Sequence, residues 1–229
     1  LNTAGDFLLS GSAKGIYSDA DSTMPDINLD LSVENGLISY PDLPERISDV
    51  NIKAVVAVDG KVMDRTTVNI DRFHFELAGS PFDMTFFLKT PVSDPDINGS
   101  MKGKIDLAAL SKALPMDSIR ISGIIEAAVS LAGRMSMIEK EQYDKFRASG
   151  SMSIKDMLIA MKDYPDVRIK EAAFLFTPAY AEMKQADLII GSKSDFSING
   201  RLENYIPYIF SDDVIKGKLS MNSKLIDLT

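Results

Sequence analysis

"RISGIIEAAVSLAG", residues 120–133, alternates apolar and small or polar residues along its whole length. With Ile119 before it, one parity holds Ile119, Ile121, Gly123, Ile125, Ala127, Val129, Leu131 and Gly133. A period of two is the signature of a strand with one face turned to apolar surroundings. Strands in compact domains usually run five or six residues. A run this long points to an extended sheet instead.

The same alternation recurs on both sides of this stretch. "NLDLSV" sets Leu29, Leu31 and Val33 on one face, and "VNIKAVVAV" does so with Val50, Ile52, Ala54, Val56 and Val58. "FRASGSMSI" alternates through Phe146, Ala148, Gly150, Met152 and Ile154. In "VNIDRFHFEL" the phase changes, from Val68 and Ile70 to Phe73, Phe75 and Leu77, which predicts a bulge near Asp71. Asp59-Gly60 is a hairpin signal of the type I′ kind. Residues 154–165 read as strand and then loop. Helical signals are short. Asp106 is placed to cap "LAALSKAL" before Pro115, and Ser136 with Glu139 forms a capping-box pattern at the head of residues 136–146. "LENYIPYIF" predicts one or two amphipathic turns with Tyr205, Ile206 and Ile209 packed inward.

Short motifs return in the same order. Tyr-Pro-Asp occurs at Tyr40 and Tyr164, Gly-Ser-x-x-Asp at Gly79 and Gly191, and Ile-Asn-Gly at Ile97 and Ile198. "SDPDING" (93–99) and "SDFSING" (194–200) agree at five of seven letters. Turn chemistry is limited, so single echoes carry little weight; three in one order predict a degenerate repeat, with approximate units 26–135 and 146–229. The expected fold is therefore mainly β: an extended, curved, largely antiparallel sheet built from degenerate repeats, with a few short helices, forming a single region over 1–229. The chain opens "LNTAG" without Met, as expected of a fragment of a longer protein.

Composition narrows function by exclusion. A net charge of −8 argues against nucleic-acid phosphate as a partner. No cysteine is present, which removes disulfides, thiolate metal sites and cysteine nucleophiles. No apolar stretch approaches the roughly 20 residues of a membrane-spanning helix. The one histidine, His74, shares a strand face with Arg72 and Glu76 and reads as an ordinary strand residue. No Gly-x-Ser-x-Gly elbow occurs, and "GSMKGKI" is neither a P-loop nor a dinucleotide fingerprint. The acidic stretch at residues 18–26 lacks the spacing of a calcium loop and reads as a solvated turn. The Asp212-Asp213 pair is not placed across a cleft. No catalytic residue, metal site or cofactor is expected, and the chain does not read as an enzyme.

Residues 79–110 ("GSPFDMTFFLKTPVSDPDINGSMKGKIDLAAL") and 194–228 ("SDFSINGRLENYIPYIFSDDVIKGKLSMNSKLIDL"), together with "GLISYPDLPERISDVNI" at 36–52, resemble the AsmA family, specifically the Bacteroidetes-type AsmA-like proteins. The resemblance spans most of residues 26–229. It implies kinship with chorein-like, repeating β-groove lipid carriers. It also implies a periplasmic location, tethered to the inner membrane through a segment absent from this chain, and a part in outer-membrane biogenesis and phospholipid transport. It carries no catalytic residues.

An acyl chain needs a long apolar surface shielded from water, at roughly 25 cal/mol per Å² of apolar area covered. Phe82, Met84, Phe86 and Leu88, with Ile121, Ile125, Val129 and Leu131, are the candidate groove residues. Tyr205, Ile206 and Ile209 are candidates for a helix closing its end. Ordinary core packing would give the same alternation. The expected partner is phospholipid or another acyl-chain lipid, with envelope proteins possible. The competing expectation is a non-enzymatic structural or interaction module that modulates outer-membrane protein assembly through exposed sheet edges.

Overall fold

A computed structural model describes residues 1–20, 23–116, 118–210 and 214–227. The Asp212-Asp213 pair and part of the acidic stretch at 18–26 lie outside the described residues. Among the described residues twelve strands follow one another in chain order and pair in that same order as a single antiparallel meander. They are β1 (Asn2–Lys14), β2 (Asp26–Ser39), β3 (Arg46–Val58), β4 (Thr67–Leu77), β5 (Ser80–Lys89) and β6 (Asp96–Asp106). The second six are β7 (Ile119–Arg134), β8 (Arg147–Met161), β9 (Val167–Phe176), β10 (Tyr180–Ile190), β11 (Ser194–Glu203) and β12 (Lys216–Asn222). Among the described residues three α-helices interrupt the meander: α1 (Leu107–Ala113), α2 (Met135–Glu139) and α3 (Tyr205–Phe210). The open, curved, mainly β sheet matches the expected fold class.

Pairing register shows why alternation dominates the sequence. Residues opposite one another in neighbouring strands share a face. One such row runs Phe7, Val33, Ile52, Phe73, Met84, Met101, Val129, Gly150, Phe176, Ala181, Leu202 and Gly217, one residue from each strand. It contains no polar side chain. The rows on the other face are mostly polar, such as Asp83, Lys102, Ala128, Ser151, Leu175, Glu182, Arg201 and Lys218. There Thr85 and Ser100 hydroxyls lie 2.9 Å apart, and the Ser197 hydroxyl donates to Asp187 at 2.7 Å.

The apolar face is covered at its two ends. α1 begins where the Asp106 carboxylate accepts the N–H groups of Ala108 and Ala109, as its position before "LAALSKAL" predicts. Its Ala109 and Ala113 pack with Leu77, Ile47, Phe75 and Ile105. At the opposite end, α2, the chain after it and α3 close over Ile97, with Met135, Ile138, Phe146, Ala148 and Ile206 buried together. Each buried side chain of this size contributes about 1.5–3 kcal/mol.

α3 also reports the curvature. The Phe210 ring stacks on Phe86 of β5, centroids 6.4 Å apart and planes 9° apart. β5 and β11 are six strand spacings apart, about 29 Å across a flat sheet. α3 starts two residues beyond β11, and five residues of helix advance only about 8 Å. The contact therefore requires the sheet to curl toward its apolar face.

Bulges break the rows near the end of the sheet that carries α1. Asn35, Asp49 and Asp156 lie within strands at φ 50°, 48° and 48°. Asn and Asp are the non-glycine residues that tolerate this left-handed conformation. Two of these bulges face a glycine one strand back. Gly5 (φ 105°) lies against the Glu34 and Asn35 carbonyls, and Gly123 (φ 114°) against Asp156 and Met157. The first pair joins β1 to β2 and the second β7 to β8, six strands later. The Tyr-Pro-Asp turns follow β2 and β8, and the Gly-Ser turns follow β4 and β10, also six strands apart. The third echo is different: Ile97-Asn98-Gly99 opens β6, whereas Ile198-Asn199-Gly200 lies in β11, and these two strands run in opposite directions.

Three local expectations need correction. Asp59-Gly60 does not make a two-residue hairpin, since neither residue has the positive φ that turn requires. Residues 59–66 form a wider connection in which Asp59 accepts the N–H groups of Lys61 and Val62. α2 is shorter than the expected 136–146, and Ser136 does not cap it. Asp94, from the β5–β6 turn, does so by accepting both the Ser136 N–H and its hydroxyl at 2.9 Å. Ile209 does not pack inward: it is 63% exposed, because Ile206, Pro207 and Phe210 take the inward arc of α3. The bulge expected near Asp71 is present, as a register shift between Ile70 and Phe73.

Candidate lipid-facing surface

Seven of the eight groove candidates lie on the apolar face, and helical cover sorts them. Phe86, Leu88 and Leu131 pack against the cluster under α2 and α3. Phe82 stacks on Phe75 at 5.1 Å and meets Phe73 edge-on at 6.3 Å. Met84 and Val129 belong to the row that crosses all twelve strands, and Ile125 to the row Ile105, Ile125, Ile154, Ala172, Ala186, Ile198 and Met221. Met84, Met101, Val129, Met152 and Phe174 are half-buried by their strand neighbours and lie outside both helix-covered clusters. Ile121 lies beyond the Gly123 bulge, where it pairs with Ile159, itself opposite Val167.

Tyr205 and Ile206 both join the closed end. The Tyr205 hydroxyl donates to the Thr177 carbonyl at 2.9 Å, and its ring lies 5.9 Å from Phe176. Burial pushes the Tyr205 phenol up to about 12. A neutral hydroxyl with a satisfied hydrogen bond is what an apolar enclosure tolerates.

One concavity was not legible from sequence. A cavity of about 710 Å³ lies at the β8–β12 end of the sheet, lined by Met157, Leu158, Ile169, Leu188, Ile189 and Phe196. Arg168, Lys170 and Lys224 stand at it with Asp156, Asp187 and Asp195. Its apolar wall joins four strands, and the Asp156 bulge that shapes it is a single letter in a β run. Asp195 organises the rim by accepting the N–H groups of Leu225 and Lys224, at 2.8 and 3.0 Å. Those N–H groups, Leu225 foremost, hold the Asp195 carboxyl below its usual range.

Comparison with protein-family models, curated proteins and solved structures gives no match. Among the described residues, no helix is long and apolar enough to cross a membrane.

Proposed function

We propose that this chain binds or conducts phospholipid, or another acyl-chain lipid, along its apolar face, as an AsmA-like protein of outer-membrane biogenesis. On this reading it is a non-enzymatic module of the cell envelope, working in the periplasm and tethered to the inner membrane through a segment outside this chain. The observation that carries it is the row from Phe7 to Gly217, apolar at every strand, on the side toward which the sheet curls. Acyl chains demand continuity of apolar surface more than specific contacts. The flexible thioethers of Met84, Met101, Met152 and Met183 suit ligands of variable shape.

Face-selective photo-crosslinking tests the reading. A benzophenone residue at Met84, Met101 or Val129 should label co-purified phospholipid, while one at Ser100 or Ser130, on the polar face, should not. Equal labelling of both faces, or lipid-free protein by native mass spectrometry after gentle extraction, would refute it.

A second reading rests on a separate observation. Every residue of β1 and of β12 is exposed, with Phe7 at 68% and Leu219 at 56%. Such edges suit strand addition by a protein partner, so the chain would serve as an interaction module in outer-membrane protein assembly. Proline substitution at alternate β1 positions would then abolish partner capture and leave lipid content unchanged.

A further inference from the structure

The polar face brings the only histidine into a group that its strand alone does not reveal. His74 of β4 stands opposite Asp83 of β5 and Asn51 of β3. Its Nδ1 lies 2.7 Å from Asp83 Oδ1 and its Nε2 lies 3.1 Å from Asp49 Oδ2. Glu76, two residues along β4 on the same face, offers a carboxylate oxygen within 4.8 Å of both the Asp49 and the His74 ligand atoms. The imidazole is 11% exposed, while Asp49 is 46% exposed and open to solvent.

A neutral imidazole has one N–H and one lone pair. If Nδ1–H donates to Asp83, the Nε2 lone pair faces a carboxylate oxygen, acceptor against acceptor. A positive charge at Nε2 removes the conflict, and either a proton or a metal ion supplies it. The surroundings favour the metal. Asp83 holds the ring by the nitrogen that would not bind, the usual outer partner of a ligating histidine. Asn51 does the same for Asp49: its Nδ2 donates to Asp49 Oδ1 at 2.6 Å and leaves Oδ2 directed at the imidazole. Asp49 reaches this position from a left-handed bulge. Two ligands each about 2.1 Å from one ion lie about 3.0–3.4 Å apart, the separation seen between Nε2 and Oδ2. Glu76 adds a third ligand that a proton would not need.

We infer that Asp49, His74 and Glu76 form a binding site for a divalent cation of the zinc class, oriented by Asp83 and Asn51. One imidazole and two carboxylates suit Zn²⁺ and its first-row neighbours and leave a position for water. The site lies on the face opposite the apolar rows and ties β3 to β4, independently of lipid.

The test uses the whole chain without a polyhistidine tag, in metal-free buffer, with ZnCl₂ as the probe. Calorimetry should give one Zn²⁺ per chain at micromolar or tighter affinity. His74→Gln should abolish binding, Glu76→Gln should weaken it at least tenfold, and Asp83→Asn should weaken it 10- to 100-fold through loss of ring orientation. With one histidine in the sequence, its two ring ¹⁵N signals are read without assignment. Zn²⁺ should shift Nε2 and leave Nδ1 protonated. No binding at 1 mM Zn²⁺, binding indifferent to His74→Gln and Glu76→Gln, or a ring that keeps protons on both nitrogens under saturating Zn²⁺ would each overturn the proposal. Should His74→Gln fail to fold, the Glu76→Gln titration and the wild-type ring signals decide alone.

Discussion

Gly123 in β7 lies so close to Met157 in β8 that a Cβ on the glycine would stand 2.5 Å from the Met157 Cα. Its φ of 114° is also closed to residues with a side chain. Gly123→Ala should therefore cost about 2–3 kcal/mol, more than loss of a glycine's flexibility would suggest. Urea denaturation should show a lower midpoint with little change in slope. A neutral result would mean that the β7–β8 bulge relaxes freely.

Phe210 binds the two halves of the sheet across the curl. Phe210→Ala should cost about 2 kcal/mol, below the loss for a fully buried phenylalanine because the site is partly open. Hydrogen exchange should lose protection in α3 and α2 and leave β1–β4 unchanged. Spin labels at Thr85 and Ser197, on β5 and β11, should report a broader and altered distance distribution once the stack is gone. An unchanged distribution would show that the sheet holds its curvature without α3.

Tyr205 gives the closed end an alkaline limit. Its phenol titrates near 10 in the unfolded chain and at about 12 in the fold. The neutral form is the one the fold favours, so its contribution is complete below pH 10 and is lost as pH rises from 10 through 12. Wild-type protein should show a falling unfolding midpoint across that window, and Tyr205→Phe should remove that part of the slope. Ultraviolet titration of the tyrosinate band checks the same group directly.

Asp195 sets the opposite limit. Its carboxyl titrates below the ordinary 3.8 in the fold, chiefly through the Leu225 N–H, with the Lys224 N–H and the Ser223 hydroxyl assisting. The contribution is therefore present above the unfolded value and is lost as pH falls through the lowered one. Acidification below pH 4 should release residues 223–227, seen as a lower amide protection factor at Leu225. Asp195→Ala, which removes the acceptor, should exchange fast at neutral pH as well. Slow exchange at Leu225 in that variant would refute the role.

Strands β2, β3, β7 and β8 were legible because each keeps one apolar parity for most of its length, as from Ile125 to Leu131; β1, β9, β10 and β12 carry weaker alternation and were not read. The α1 start was legible because Asp106 caps locally. What escaped detection depends on register between distant strands. Asp94 caps α2 from 42 residues away, and His74 meets Asp49 and Asp83 only once three strands are aligned. Asp49, Asn35 and Asp156 interrupt apolar alternation by one letter each, which resembles any solvent-facing position. Ile209 was misplaced because six residues of helix give too little periodicity to separate an inward residue from its neighbour. The echoed Ser-Asp pairs have a shared local role that sequence did not reveal. Ser93 and Asp94 are held to Asp64 and Ser136, and Ser194 and Asp195 to residues 223–227, so each pair fastens a neighbouring connection to a strand start.

Strict neighbour-to-neighbour order has a mechanical consequence. Each strand pairs only with the strands before and after it, so tension applied at the two termini would detach the outer strands one at a time, like a zipper opened from both ends. Such local pairing also lets folding begin at any hairpin and spread outward. The Phe86–Phe210 stack reaches further, as does α1, which follows β6 and packs on Ile47 of β3 and Leu77 of β4. The stack closes a loop of more than 120 residues and α1 extends the unit back to β3, so β3–β11 resist together and force would strip β1, β2 and β12 before it reached them.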